Sequence, residues 1–321
     1  MFLCISANPA IDKQIRMTQF RLGAVNRAAD ATPEPGGKAA HVAMALLALG
    51  ERPQWMGFAG GLTGEILVRG LKALGIHAQP IAIHESTREN LAIMDDTGAV
   101  TEILQPGGKP SAKEAGSFQK ACEREFARGK QKLLVILSGS LPPGIPANFY
   151  ATLIRIAHSY GSRVVLDSSG EALRRGVRAE PEFVKPNREE AEALTGKTIR
   201  DIPSAREALD EILAMGARSA AISLGKEGVL WTTGADQPVL HARAREVDKG
   251  SAVGSGDAMV AGFAYGIDNG LLPEKALKLA VACGSANCLA VSPGRIRLST
   301  VRKMEREVRV KTLSEPCHAE I

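Results

Sequence analysis

The sequence predicts an α/β fold in which a mostly parallel sheet is covered by helices. Short β-branched or apolar runs alternate along the chain with longer stretches of helical periodicity, an order typical of parallel sheets. Residues 12–35 and 85–106 depart from this order, because they alternate polar and apolar residues and show no convincing helix. We interpret these two segments as strands of a small second sheet, a lid over the ligand cleft whose edge is available to a second subunit.

The individual elements follow one another in a regular order. Five runs are predicted to be buried strands: 3–7, 133–138, 163–167, 183–185 and 220–224. Seven stretches are predicted to be helices: 39–49, 64–74, 112–128, 146–160, 204–215, 257–269 and 273–290. All 321 residues are interpreted as one domain, with a tail at 309–321 that frays. Ligands of an open parallel sheet bind outside the carboxyl ends of the strands, so we expect functional groups in the turns that follow them.

Composition and charge narrow the class of protein. The formal net charge is +5, and basic residues occur in dispersed pairs without interleaved aromatic residues, so we expect an anionic small molecule rather than a nucleic acid as partner. The first residues lack the basic region and the length of a signal peptide, and no apolar run is long enough to span a bilayer. We therefore expect a cytoplasmic protein without a membrane partner. The odd number and the spacing of the cysteines predict reduced thiols: Cys4, Cys122, Cys283, Cys288 and Cys317.

The stretch at 252–259 is the most informative motif. Gly254 and Gly256 flank Ser255, Asp257 follows at once, and an apolar helical pattern then begins. A loop that enters a helix presents unpaired N–H groups and the positive end of the helix dipole, so it can hold a phosphoryl group while Asp257 faces a second reactant. The alternative is an ordinary strand-to-helix turn in which Asp257 caps the helix.

A second group of residues suits hydroxyl and phosphate recognition. Gly36, Gly37 and Lys38 precede a helix, where a ligand can approach the backbone and a lysine can meet an anion; the alternative is a flexible turn with a solvated lysine. Asp12 follows the first strand, where its carboxylate could accept two sugar hydroxyls, although an exposed loop aspartate is the commoner case. The guanidinium group of Arg88, in the motif 87–90, could bind two oxygens of a phosphate. The alternative is that Arg88 forms an ion pair on the surface.

Three later turns complete the candidate site. Ser138 begins a stiff turn at 138–144 and could direct its hydroxyl into the cleft. Asn187 and Glu190 lie three residues apart at a helix start, where they could orient water around Mg²⁺ or form a capping box. The turn at 223–228 could line nucleotide phosphates or simply connect a β-hairpin. The sequence contains no P-loop and no dinucleotide glycine fingerprint.

Taken in order, these motifs resemble those of PfkB-type carbohydrate kinases. The shared segments are 8–12, 36–38, 87–90, 138–144, 185–190, 223–228 and 253–263. The resemblance is to the branch that phosphorylates sugar phosphates, namely 1-phosphofructokinase, tagatose-6-phosphate kinase and the minor 6-phosphofructokinase. It implies a ribokinase-like three-layer sandwich with a β lid that pairs into a homodimer. It also implies ATP and Mg²⁺ as cofactors and fructose 1-phosphate, fructose 6-phosphate or tagatose 6-phosphate as substrate.

The resemblance further implies a role for each matching residue. Asp257 would be the catalytic base, with an anion hole formed by Gly254, Ser255 and Gly256. The substrate would contact Asp12, Gly36, Gly37, Lys38, His41, Arg88, Asn90 and Ser138, with Lys38 and Arg88 on the phosphate already present on the sugar. The nucleotide would contact Lys185, Asn187, Ser223, Gly225 and Gly228, and the metal Asn187 and Glu190.

The chain departs from the family pattern at three places. Ala39, Ala40 and His41 stand where the family usually has glycine, an apolar residue and asparagine, and the sequence leaves open whether His41 faces the site or packs beside Ala45. Ser255 replaces an alanine of the anion hole, and Ala24 replaces an acidic residue of the lid. Two other functions stay open: a kinase of free sugars or nucleosides, and a sugar-phosphate-binding regulator without catalysis.

Overall fold

The fold is described from a computed structural model that covers residues 1–28, 30–129, 133–245 and 250–313. Its strands are β1 (Phe2–Ser6), β2 (Ala10–Met17), β3 (Asp30–Gly36), β4 (Gln54–Ala59), β5 (His77–Ala82), β6 (Arg88–Asp95), β7 (Val100–Leu104), β8 (Leu134–Ser138), β9 (Arg163–Asp167), β10 (Phe183–Val184), β11 (Ala220–Ser223), β12 (Val229–Thr232), β13 (Leu240–Arg243) and β14 (Arg309–Thr312). Its helices are α1 (Lys38–Ala48), α2 (Gly61–Ala73), α3 (Ala112–Arg128), α4 (Phe149–Ser159), α5 (Gly170–Val177), α6 (Arg188–Thr195), α7 (Ile202–Ala214), α8 (Ser255–Asp268), α9 (Pro273–Cys288) and α10 (Leu298–Glu307).

The larger sheet has ten strands in the order β14-β13-β12-β11-β10-β9-β8-β1-β4-β5. The seven strands from β11 to β5 are parallel, and β12, β13 and β14 add an antiparallel edge. The central strand β1 pairs with β4 and β8, so that Leu3 lies opposite Gln54 and Val135. The predicted α/β class with a mostly parallel sheet is confirmed.

Helices cover both faces of this sheet. Phe2 and Cys4 of β1 belong to a core shared with α1, α8 and α9, whereas Leu3 and Ile5 belong to a second core shared with α3, α4 and α7. Alternate side chains of a strand point to opposite faces, so a strand buried on both faces consists almost entirely of apolar residues. This double burial explains why β1 and β8 are recognisable from their apolar runs alone.

The smaller sheet has four strands in the order β3-β2-β6-β7 and includes both segments interpreted as lid strands. Strands β2 and β6 are parallel, with Ala10 opposite Arg88, while β3 and β7 pair with them antiparallel. The sheet is continuous with the ligand-facing end of the larger sheet, because β2 begins four residues after β1 ends. Whether it opens and closes as a lid stays a prediction.

The predicted fraying of the tail is wrong for residues 309–312. These residues form β14, which pairs with β13 at the edge of the large sheet, and Leu313 donates its N–H to the carbonyl oxygen of Val239. An unpaired strand edge offers hydrogen-bond partners to any segment that reaches it, whatever the apolar content of that segment. Residues 314–321 lie outside the described residues. Within the described part of the chain, no helix has the length and apolarity needed to cross a membrane.

Candidate active site

The loop before α8 leaves backbone N–H groups unpaired at the start of that helix. Gly254 ends this loop with φ of 77°, and a Cβ atom there would lie 2.6 Å from Cβ of Pro293, so only glycine fits. The N–H of Ser255 donates to the carbonyl oxygen of Ala252, whereas those of Gly256 and Asp257 have no acceptor within the described residues. Two free N–H groups and the positive end of the helix dipole therefore converge in front of α8.

Asp257 is not a helix cap. The cap of α8 is Gly254, and the buried Asp257 carboxylate turns away from the helix to meet His41. Nδ1 of His41 lies 2.7 Å from Oδ2 of Asp257, and Nε2 of the same ring lies 2.8 Å from Oδ2 of Asp12. His41 therefore faces the site, between two carboxylates that come from α8 and β2.

The two carboxylates change the protonation of the imidazole. Burial by itself would lower the pKa of His41, but the hydrogen bonds to Asp12 and Asp257 and the charges of these residues outweigh it and raise the pKa to about 10. Burial would raise the pKa of Asp12, yet the hydrogen bond and the charge of His41 lower it. The imidazole of His41 thus bridges the side chains of Asp12 and Asp257 in the interior of the protein.

Asp12 is held from several sides. Asn90 lies opposite it in the β2–β6 register and donates from Nδ2 to Oδ1 at 2.9 Å, while Oδ1 of Asn90 is buried without a partner among the described residues. A Cβ atom on Gly36 would lie 2.3 Å from Cγ of Asp12, so glycine is required for this close approach. Asp12 and His41 line a cavity of about 270 Å³ under the small sheet, together with Gln14. This cavity is the candidate acceptor pocket.

A second charged cluster lies beside the start of α8. Nζ of Lys38 is 3.2 Å from Oδ2 of Asp167 and 4.0 Å from Oε1 of Glu190, and Nζ of Lys185 is 3.7 Å from Oδ1 of Asp167. Burial would raise the pKa of Asp167, but the charges of Lys38 and Lys185 lower it. A Cβ atom on Gly256 would lie 3.5 Å from Nζ of Lys185, so this ammonium group stands beside the start of α8.

The predicted metal and nucleotide residues adjoin this cluster. Asn187 and Glu190 form the capping box of α6, with hydrogen bonds of 2.8 and 2.9 Å. The capping box that the sequence offered as an alternative to metal binding is therefore present. Ser223 forms an isolated bridge with Asn187. The turn from Ser223 to Gly228, which includes Gly225, connects the antiparallel strands β11 and β12, so the hairpin alternative also describes its backbone.

Arg88 and Ser138 differ from the expectation. Arg88 donates to the main-chain carbonyl oxygens of Gln105 at 2.7 Å and Asn8 at 3.2 Å, and it lines a cavity of about 540 Å³ that does not include Asp12 or His41. Its Nε is buried without a partner within the described residues. Ser138 is fully buried and donates to Asp167 at 3.3 Å, so its hydroxyl supports the charged cluster instead of facing the cleft.

Comparison with known proteins identifies the family. A family model described as "pfkB family carbohydrate kinase" matches residues 6–298. The chain belongs to the PfkB family of carbohydrate kinases. A putative phosphofructokinase of Staphylococcus aureus has a similar structure, with a TM-score of 0.80 and 28% identity over 98% of this chain and 100% of that one.

Two further solved structures are similar to this chain. Phosphofructokinase-2 of Escherichia coli, in complex with substrates and products, gives a TM-score of 0.88 with 28% identity over 95% of this chain and 98% of that one. A possible 1-phosphofructokinase of Thermotoga maritima gives a TM-score of 0.88 at 24% identity, covering 98% and 99% of the two chains, and supports the fold alone. The predicted sugar-kinase family and its ribokinase-like fold are confirmed.

In this PfkB kinase, sequence reasoning missed two candidate site residues. Asp167 is the last residue of a predicted buried strand. Because ligands bind at the carboxyl ends of parallel strands, this position could have indicated a site residue. Asn287, on α9, donates from Nδ2 to the carbonyl oxygen of Val253 at 2.7 Å and accepts from the N–H of Gly294 at 2.8 Å. It joins the loop before α8 to the loop after α9, and no local pattern reveals this role.

Proposed function

We propose that this chain transfers the γ-phosphoryl group of ATP to a hydroxyl of a sugar phosphate, giving a sugar bisphosphate. The substrates we favour are fructose 1-phosphate, fructose 6-phosphate and tagatose 6-phosphate. The observation that carries the proposal is the position of Asp257. It lies between the pocket of Asp12 and His41 and the anion site formed by the start of α8 and Lys185.

In the proposed reaction, the acceptor hydroxyl donates its hydrogen bond to Asp257 and attacks the γ-phosphorus. The bond from phosphorus to the bridging oxygen of ADP breaks, ADP leaves, and the hydroxyl proton passes to the Asp257 carboxylate. Such transfers proceed through loose transition states, so positioning and charge stabilisation contribute more than proton abstraction. The N–H groups of Gly256 and Asp257 and the ammonium of Lys185 would stabilise the charge on the transferred group.

The charged cluster of Lys38, Asp167, Lys185 and Glu190 suits the phosphates of a nucleotide with a magnesium ion. Oδ1 of Asp167 is buried without a hydrogen-bond partner within the described residues, and Glu190 keeps Oε1 directed toward Lys38. Hard oxygen ligands of this kind suit Mg²⁺, which keeps several waters. We propose that Asn187 and Glu190 hold the ion through water and that Ser223, Gly225 and Gly228 contact the nucleotide. The ion would neutralise charge on the phosphate oxygens.

We assign the two predicted phosphate contacts differently from each other. The ammonium of Lys38 lies against Asp167 and Glu190, so we propose that it contacts the transferred phosphoryl group rather than the phosphate already on the sugar. Arg88 lies opposite Ala10 of β2, close enough for the charge of Asp12 to act on it, and its buried Nε has no described partner, which supports a contact with the sugar phosphate. The E. coli phosphofructokinase-2 has been solved in complex with fructose-6-phosphate, which favours the same substrate class here.

The test is ADP release with a panel of phosphorylated sugars, free sugars and nucleosides. We expect activity with a sugar phosphate and a fall in kcat of about a hundred- to ten-thousand-fold for Asp257→Asn, with little change in KM. The exposed Asp236→Asn is the matched control and should be fully active. Turnover of free sugars alone would support the first alternative function, and binding of sugar phosphate without ADP release would support the regulator.

We also propose that two copies pair through the small sheet. Four large apolar side chains are exposed on this sheet and its connecting loop: Leu22, Val25, Ile103 and Leu104. Exposed apolar residues at a strand edge favour pairing with a second copy. Light scattering on the wild-type chain and on Ile103→Lys tests this, since we expect a dimer that the substitution weakens. A wild-type monomer at micromolar concentration would contradict the proposal.

A further inference from the structure

We propose that His41 is a positioning residue that links Asp12 and Asp257 as a doubly protonated imidazolium, leaving Oδ1 of Asp257 as the oxygen that meets the acceptor hydroxyl. This inference deepens the proposed function and rests on it. His41 does not touch the reacting atoms in this arrangement. It acts through Asp257, whose orientation it fixes.

The first argument is hydrogen-bond chemistry. A ring nitrogen lies 2.7 Å from Asp257 and the other lies 2.8 Å from Asp12, and since an ionised carboxylate can only accept, two ionised carboxylates here require a proton on each nitrogen. The His41 residue is only 5% exposed, so the ring has little contact with solvent. The raised pKa of His41 agrees with this geometry.

The second argument is that the backbone that carries the ring is held in place. Gly294 lies directly against the backbone of His41, since a Cβ atom on that glycine would be 2.6 Å from the His41 carbonyl oxygen. The contact fixes α1 at the point where it carries His41. A ring held by its helix and bonded at both nitrogens keeps one orientation, and it transmits that orientation to Oδ2 of Asp257.

The third argument is the balance of charge. The charged groups that act on this array include Asp12 from β2, Asp257 from α8, Glu102 from β7, Lys38 from α1 and Arg88 from β6, and the cavity beside it is also lined by Arg16, Asp30 and Glu34. Burial raises the pKa of Glu102, and the charges of Asp12 and Asp257 raise it further, while the charge of His41 lowers it. One imidazolium offsets half of the charge of the two carboxylates, at the place where an anionic phosphoryl group must approach.

The array also limits what Asp12 can bind. Its carboxylate already accepts hydrogen bonds from Nε2 of His41 at Oδ2 and from Nδ2 of Asn90 at Oδ1. A carboxylate offers about four lone-pair directions, so about two remain for the substrate. The unpaired Oδ1 of Asn90 is a further acceptor for a sugar hydroxyl.

The direct test is nuclear magnetic resonance of the wild-type chain with ¹⁵N-labelled histidine at pH 8.5. An ordinary histidine, with a pKa near 6.5, is neutral there and carries one ring proton. We expect His41 to show two protonated nitrogens. The signal is assigned as the one lost in His41→Asn or, if that variant does not fold, by assigning the five other histidines through their own Asn variants. A neutral His41 ring would overturn the inference.

A kinetic test separates positioning from a merely structural role. His41→Gln keeps a polar side chain but cannot donate to two carboxylates from opposite ends while carrying a charge. We expect kcat to fall by about a hundred-fold, with a much smaller change in KM for the sugar phosphate. The exposed His77→Asn is the control. An unchanged kcat in the folded His41→Gln variant would overturn the inference.

The two tests also separate this inference from the proposed function. A wild-type chain that releases no ADP with any sugar phosphate contradicts the proposed function, whatever the state of the ring. An active chain with a neutral His41 contradicts the positioning role of His41 alone.

Discussion

Replacing His41 with asparagine should change how the stability of this chain depends on pH. The pKa of His41 rises from 6.5 to about 10 on folding, although burial alone would lower it, because Asp12 and Asp257 hold the charged ring. The folded state therefore binds the imidazole proton more tightly than the unfolded state does. The resulting stability is fully present below pH 6.5 and is lost as the pH rises through about 10.

The size of this effect follows from the two pKa values. One pKa unit corresponds to about 1.4 kcal/mol, so the contribution of His41 has a ceiling of about 5 kcal/mol. Between pH 7 and 9.5, the difference in unfolding free energy between wild type and His41→Asn should shrink by about 1.4 kcal/mol per pH unit. Cysteine and lysine side chains titrate in the same range, but they are present in both chains and cancel in the difference.

Urea unfolding at half-unit pH steps measures this difference. Wild type, His41→Asn and the exposed control His77→Asn are compared in the same buffers. The control should follow the wild type at every pH. A difference between wild type and His41→Asn that stays constant from pH 7 to 9.5 would show that His41 gains no proton on folding, and would refute the reasoning.

Three other substitutions test the rest of the site. Arg88→Ala should raise KM for the sugar phosphate about tenfold or more and leave KM for ATP unchanged, because a lost charged hydrogen bond costs about 1.5–3 kcal/mol. Equal effects on the KM values of both substrates in steady-state kinetics would contradict the assignment of Arg88 to the sugar phosphate. Gly254→Ala should raise KM for ATP and lower kcat, because the added Cβ atom would lie 2.6 Å from Cβ of Pro293 and shift the loop. Unaltered kinetics would show that the loop has room for the methyl group. Asp167→Asn should lower the free energy of unfolding, measured in urea, by about 3 kcal/mol, because it leaves the buried Lys185 without its charged partner. A decrease of less than about 1 kcal/mol would count against a structural role for the pair of Asp167 and Lys185.

Local sequence patterns were sufficient for the elements whose signal is contained within a few residues. Helix α3 has the bounds predicted for it, Ala112–Arg128, because an amphipathic pattern follows a capping box formed by Ser111 and Glu114. Strands β1 and β8 were found because both of their faces are buried. The edge strands β5 and β14 were missed, since their mixed polar residues gain strand structure only from a neighbour in the sheet.

The sequence alone also determined which loops bear the chemistry, because glycine turns, strand ends and helix starts are local features. It could not determine which of their side chains meet. His41 and Asp257 are 216 positions apart, and Lys38 and Asp167 are 129 positions apart. Their contacts depend on how α1, β9 and α8 pack together around the sheet. The tertiary structure likewise decides that Arg88 lines a different cavity from the one lined by Asp12 and His41. Turn chemistry is encoded over a few residues, whereas a distance between two side chains is decided by the burial of the whole core.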